Sequence, residues 1–95
     1  MKVRFLRPAE HEYLQALQYY AAQASDLGAA FLDDLDHAVQ LLAAHPEVGA
    51  PYEGETRRLL LRRFQYSLIY ELEKDEVVVV ALRHQRQQPR PWRNI

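Results

Sequence analysis

The alternation of apolar and polar positions divides the chain into one short strand, two helices and three further strands. Val3 and Phe5 share one face of an extended segment over residues 2–7, because successive side chains of a strand point to opposite faces. Pro8 ends this segment and suits the first turn of a helix, where a missing N–H costs nothing. Apolar residues then recur at helical spacing, which predicts a first helix from about Ala9 to Ala24.

A second helix follows almost immediately. Ser25 or Asp26 is predicted to cap its start, and His45-Pro46 to end it, since proline disfavours helical geometry at the preceding residue. Its apolar stripe consists of Leu27, Phe31, Leu35, Ala38 and Leu42. The short connection predicts an antiparallel helical hairpin, in which Gly28 allows the two helices to approach closely.

The second half of the chain predicts three strands after a loop over residues 47–55. Their ranges are Arg57–Arg63, Ser67–Glu73 and Val77–Arg83. The last is an almost continuous β-branched run, which suits a central strand covered on both faces. We therefore expect an α+β domain of order β-α-α-β-β-β, in which the helices pack on one face of a largely antiparallel sheet. The other face would carry Arg58 and Arg62.

Length and composition limit the class of protein. The 95 residues are enough for one compact domain over residues 1–95, of which residues 85–95 form a polar tail. The chain has no cysteine, so it forms neither a disulfide nor a thiolate metal site. Its start lacks the apolar stretch of a signal peptide, and no apolar run approaches the roughly 20 residues that span a bilayer. We expect a cytoplasmic protein without a membrane partner.

The charge is distributed unevenly although the net charge is only −1. Residues 1–56 carry nine acidic and three basic side chains, whereas residues 57–95 carry nine basic and four acidic ones. Eight of those nine basic residues are arginines, which pair well with phosphate and carboxylate. The close pairs Arg57-Arg58 and Arg62-Arg63 repel each other unless an anionic partner is bound. This half of the chain is therefore expected to bind such a partner.

Several segments together resemble a known family. Glu12–Tyr20 (EYLQALQYY) and Leu27–Leu32 (LGAAFL) resemble the two helices of RelE/ParE toxins. Arg57–Tyr70 (RRLLLRRFQYSLIY) resembles the family's arginine-rich strand and aromatic turn, although many members have proline where this chain has Gln65. Val80–Trp92 resembles the last strand and its His–Arg–Pro–Trp tail. The match runs through nearly the whole chain in the right order.

The resemblance implies a fold, a function and partners. The family folds as a helical hairpin on a small antiparallel sheet and supplies the toxins of type II toxin–antitoxin (plasmid stabilisation) modules. Its RelE-like branch cleaves messenger RNA on the ribosome, whereas its ParE-like branch is associated with inhibition of DNA gyrase and lacks nuclease activity. In both branches a small DNA-binding antitoxin wraps the toxin with its C-terminal segment, so we expect a hetero-oligomer with an antitoxin.

The residues favour the ParE-like branch. Cleavage of RNA requires a base, a group that stabilises the phosphorane charge, and an acid. In the basic half only His84 titrates near neutrality, so His84 is the catalytic candidate if the protein is a nuclease. No tyrosine or lysine follows His84, and Glu71 and Glu73 are predicted to face solvent. Two alternatives remain open at this point, namely a ribosome-dependent endoribonuclease and a small interaction domain without toxicity.

The candidate binding residues lie mostly in the basic half. They are Arg57, Arg58, Arg62, Arg63, Tyr66, Arg83, Arg86 and Trp92. Of Tyr66 and Tyr70, one is expected to cover the core while the other lines a partner groove. The remaining histidines show no metal-ligand spacing, so we expect neither a metal nor a cofactor.

Overall fold

The computed structural model describes residues 1–85 and follows the predicted order of elements. The elements are β1 (Lys2–Phe5), α1 (Arg7–Gln23), α2 (Ser25–Ala44), β2 (Ala50–Pro51), β3 (Thr56–Leu60), β4 (Tyr66–Leu72) and β5 (Glu76–His84). The predicted α+β class is confirmed. The two-residue strand β2 lies in the segment that the sequence predicted as a loop, because it is too short to show an alternating pattern.

The strands form one mixed sheet in the order β1-β5-β4-β3-β2. Strand β1 runs parallel to β5, and the other neighbours are antiparallel. The three residues Val77, Val78 and Val79 of β5 are all buried, which confirms a central strand covered on both faces. Because β1 ends at Phe5, opposite Val79, β5 extends well past its parallel neighbour.

The helices begin and end close to the predicted positions. Helix α1 contains Pro8 in its first turn, and α2 ends before its C-cap His45. The predicted capping of α2 by Ser25 or Asp26 is wrong: the N-cap is Ala24, and no side chain caps the helix. The connection is only this one residue long, so Ser25 already lies within the helix. Neither helix of residues 1–85 is long and apolar enough to cross a membrane.

Gly28 marks the closest approach of the two helices, as the sequence predicted. A Cβ atom built on Gly28 would lie 2.8 Å from the Cβ atom and 3.0 Å from the Cα atom of Ala21. Real Cβ atoms do not approach so closely, so a larger residue would push the helices apart. Glycine at this position therefore sets the spacing of the hairpin.

The helices cover one face of the sheet and form the core with it. Its fully buried large side chains are Phe31, Leu42, Leu68, Tyr70, Val77 and Val79. Val3 and Phe5 of β1 pack against this core from the sheet edge. Ile69 is also buried but does not belong to this cluster, because it points to the helix-free face of the sheet. Tyr70 and Ile69 are thus neighbours in β4 whose side chains point to opposite faces of the sheet.

Candidate functional site

Arg57 and Arg58 are neighbours in β3 but point to opposite faces of the sheet. Arg57 lies opposite the core residue Tyr70. Its guanidinium donates hydrogen bonds to the carbonyl oxygens of Glu47, at 3.1 Å, and Gly49, at 2.8 Å. Arg57 therefore ties the loop after α2 to β3, and its charge is already engaged within the fold.

Arg58 lies on the helix-free face. Its guanidinium carbon is 5.2 Å from the ring centre of Tyr52, a distance at which a cation is attracted to an aromatic face. A small hollow opens beside it, lined by Tyr52, Arg58, Ser67, Ile69, Arg83, His84 and Gln85. The structure thus brings together three of the predicted residues, Arg58, Arg83 and His84.

The turn between β3 and β4 is held by a buried carboxylate of α2. The two oxygens of Asp34 accept hydrogen bonds from the backbone N–H groups of Arg62 at 3.3 Å, Arg63 at 2.9 Å and Phe64 at 2.9 Å. Asp34 is only 5% exposed, and a carboxylate cradled by backbone N–H groups is strongly stabilised. Asp34 therefore fixes the position of the turn that carries the second arginine pair, Arg62-Arg63.

The sequence analysis did not single out Asp34 and missed this role. A signal was available, because Asp34 follows Phe31 by three residues and precedes Ala38 by four. Residues at those spacings share one face of a helix, and both neighbours belong to the buried stripe. An acidic residue on that stripe indicates a buried carboxylate that needs hydrogen-bond donors.

Arg62 lies beside α2, so its predicted position on the helix-free face is wrong. A terminal guanidinium nitrogen of Arg62 is 3.0 Å from Nε2 of His37. This contact and the backbone bond to Asp34 place Arg62 on the helix side of the turn, because the strand β3 has already ended at Leu60. Arg62 and Arg63 are both exposed and border a hollow that also contains Asp33 and Asp36.

The two tyrosines of β4 differ as expected. Tyr70 is fully buried, whereas Tyr66 lines a shallow groove with Tyr19 and Leu82. The ring of Tyr66 packs edge-on against His84, with centroids 5.0 Å apart. Burial, and secondarily the neighbouring Tyr20, raises the pKa of Tyr66 to about 12. Its phenol therefore keeps its proton throughout the physiological range.

The hollow that His84 borders is lined, in the described part of the chain, by no carboxylate side chain. Glu71 lies on β4 five residues beyond Tyr66, the residue opposite His84. Five strand residues span about 16 Å, so Glu71 and His84 lie too far apart to act on one substrate atom. Glu73 follows the end of β4 and is still more distant.

The remaining predicted residues fall into two groups. Arg83 is exposed, and it borders the same hollow as Arg58. Arg86 and Trp92 lie outside the described residues 1–85, so their part in binding stays a prediction. Within residues 1–85, no three histidine, aspartate or glutamate side chains are grouped so that they could hold a metal ion.

Comparison with known proteins identifies the family. Residues 3–89 match the family described as "ParE toxin of type II toxin-antitoxin system, parDE". The solved structure "Chromosomal ParDE TA system from P. aeruginosa" superposes with a TM-score of 0.75 at 20% identity, over 88% of this chain and 95% of that chain. At this identity the likeness shows a common fold. No curated protein matches the chain. The resemblance predicted from the sequence is thus confirmed, and the chain belongs to the ParE toxin family of type II toxin–antitoxin systems.

Proposed function

We propose that this toxin acts by binding DNA gyrase without cleaving RNA, and that a small antitoxin neutralises it by covering its basic surface. The observation that carries the proposal is the composition of the hollow around His84. Arg58 and Arg83 lie there to attract an anion, but the hollow has no carboxylate in residues 1–85. A hollow lined by cations and by no carboxylate among these residues is suited to binding an anion.

The chemistry of RNA cleavage explains why this composition favours an inhibitor. Attack by a 2′-hydroxyl requires one group that removes a proton and a second that supplies one to the leaving oxygen. His84 can fill one of these roles. Tyr66 beside it has its pKa raised to about 12, and arginine stays protonated at all physiological pH values. Both are far from the near-neutral pKa of an efficient proton carrier, so these neighbours are poorly suited to the second role.

The antitoxin is proposed to use two features of the surface. The first is an apolar groove between the helices, lined by Phe5, Tyr13, Leu32, Leu35 and Val39 with Glu10 and Asp36 at its rim. Leu32 is 43% exposed there, and the groove suits the apolar face of an amphipathic helix. The second is the exposed pair Arg62-Arg63, which suits an acidic stretch that leaves the groove and passes over α2.

The outer edge of β3 offers a further contact for the antitoxin. Strand β2 pairs with β3 only at Arg57 and Arg58, so within residues 1–85 no strand covers that edge beyond Arg58. Leu60 is 50% exposed at this end. Open sheet edges accept an additional strand from a partner. An antitoxin strand at this edge would lie between Arg58 and the Arg62-Arg63 turn, and its acidic side chains would meet both.

Induction in a bacterial host without antitoxin tests the proposed target class. DNA and protein synthesis are followed by pulse labelling immediately after induction. We expect DNA synthesis to fail first, with broken chromosomes, and growth to recover when the cognate antitoxin is co-expressed. Early loss of protein synthesis with cleaved messages would instead identify a ribonuclease, and His84→Ala would then be the first variant to make. If growth, DNA synthesis and protein synthesis all continue unchanged, the result would contradict a toxic function.

A further inference from the structure

Ser67 carries a buried hydroxyl without a hydrogen-bond partner. The residue is 4% exposed, and within residues 1–85 its side chain neither donates nor accepts a hydrogen bond. Its hydroxyl borders the small hollow on the helix-free face of the sheet. Buried polar groups are nearly always satisfied, and one without a partner lowers stability. An unsatisfied donor at the floor of a hollow indicates a ligand that bonds to it.

Two arginines flank this hydroxyl because of the strand register. Arg83 of β5 lies directly opposite Ser67. Arg58 of β3 lies opposite Ile69, two residues along β4 and therefore on the same face as Ser67. Tyr52 holds the guanidinium of Arg58 from the side. Both arginines border the same hollow, so one hydroxyl donor and two guanidinium groups line a single hollow.

Among residues 1–85, no carboxylate lines the hollow to balance this positive charge. Within residues 1–85 the one salt bridge joins Arg4 of β1 to Glu76. Glu76 is the first residue of β5 and lies at the opposite end of that strand from Arg83. Arg58 and Arg83 are both exposed and have no carboxylate beside them in the hollow. Two like charges on one sheet face repel each other, and a bound anion would remove that repulsion.

We propose that Ser67, Arg58 and Arg83 form a binding site for a phosphate group. The hydroxyl of Ser67 donates from the floor, and the two guanidinium groups donate from the sides. The phosphate belongs either to inorganic phosphate or to a phosphodiester of a nucleic acid, since both are tetrahedral and present negatively charged oxygens to the donors. The site goes beyond inhibition of gyrase, because it assigns a ligand and a serine to the helix-free face. It binds phosphate and breaks no bond.

The arrangement fits phosphate better than a carboxylate. A carboxylate is planar and offers two oxygens, which one arginine can engage completely in a bidentate pair. Phosphate is tetrahedral, so its oxygens can meet three donors that approach from three directions. Its negative charge also offsets the repulsion between the two arginines. A carboxylate holds its two oxygens in one plane, so three donors that approach from three directions fit it less well.

Titration of the purified full chain with inorganic phosphate at constant ionic strength tests the site. Amide chemical shifts and thermal unfolding are both recorded. We expect saturable shifts at Ser67, Ile69 and Arg83, and a melting temperature that rises with phosphate because the ligand binds only the folded state. Ser67→Ala is expected to weaken binding about tenfold, the effect of one hydrogen bond to a charged group. Arg83→Gln is expected to abolish it.

The variants also separate binding from folding. Ser67→Ala removes an unpartnered hydroxyl, so without phosphate its melting temperature should equal or exceed that of the wild type. Arg7→Gln removes one exposed positive charge at the start of α1, from a residue that does not line the hollow, and should leave phosphate binding unchanged. Absence of saturable binding, equal loss in Arg7→Gln, no loss in Ser67→Ala, or equally tight binding of acetate would each overturn the proposal.

A short single-stranded oligonucleotide identifies the source of the phosphate. Displacement of inorganic phosphate from the same residues, with the same loss in Ser67→Ala, would support a nucleic acid phosphodiester. Saturable phosphate binding without such displacement would support the free anion. These measurements involve neither gyrase nor antitoxin, so their failure would leave the proposed inhibition of gyrase untouched.

Discussion

The hydroxyl of Tyr70 accepts a hydrogen bond from the backbone N–H of Gly49 at 2.8 Å. The same hydroxyl donates to the carbonyl oxygen of Pro46, also at 2.8 Å. A Cβ atom on Gly49 would lie 2.7 Å from this oxygen and 2.9 Å from the carbonyl oxygen of Arg58. One buried phenol on β4 thus organises the loop after α2, and glycine is required for the loop to come this close.

Tyr70→Phe is expected to destabilise the fold by about 1–3 kcal/mol, because it leaves a buried N–H without its acceptor. Urea unfolding of the purified chain measures the effect. Tyr19→Phe is the matched control, since Tyr19 is 61% exposed and should lose almost nothing. Equal stability of the two variants would show that the loop does not depend on this phenol.

Asp34→Asn is expected to lower the free energy of unfolding by about 2 kcal/mol, the range for hydrogen bonds to a charged group. An amide has one oxygen where the carboxylate has two, so at least one of the N–H groups of Arg62, Arg63 and Phe64 loses its acceptor. Asp33→Asn removes the same charge from an exposed position and serves as the control. If both variants unfold alike, Asp34 does not anchor the turn.

The double variant Arg58→Ala, Arg62→Ala is expected to bind the antitoxin about tenfold more weakly, since exposed ion pairs contribute up to about 1 kcal/mol each. The loss should shrink in high salt, because exposed charges are screened. Binding of the cognate antitoxin is measured calorimetrically, with Arg7→Ala as the control. Unchanged affinity would place the antitoxin interface elsewhere.

Tyr66 gives a prediction for alkaline pH. Burial raises its pKa to about 12, so the neutral phenol is favoured in the folded state. This contribution to stability is fully present below the unfolded-state pKa near 10 and is lost as the pH rises through about 12. Subtracting the phenolate absorbance of Tyr66→Phe from that of the wild type isolates Tyr66. This difference should rise with a midpoint near pH 12. A midpoint near 10 would mean that this phenol is solvated.

The sequence predicts the order of the elements because each one has a clear periodicity. The apolar stripe of α2 and the β-branched run of β5 both correspond to elements that the structure contains. The length of the helix connection was harder to predict, because Ser25 is a good cap by residue type but follows a one-residue junction. The parallel pairing of β1 with β5 is a tertiary property that no local pattern encodes.

The candidate site was predictable in its residue types but not in its grouping. The charge pattern selects the arginines, yet adjacent Arg57 and Arg58 separate to opposite faces because they lie in a strand. Ser67 gives no signal in the sequence, since its importance depends on the register that sets Arg83 opposite it. The burial of Asp34 could have been predicted, because Asp34 lies on the stripe of α2 that is otherwise apolar.

The measurement that tests the central claim most directly is DNA supercoiling by purified gyrase in the presence of the purified chain. We predict that the chain inhibits supercoiling in proportion to its concentration, that the antitoxin restores activity, and that translation in a cell-free system continues at the same toxin concentration. Full gyrase activity together with arrested translation and cleaved messenger RNA would contradict the account.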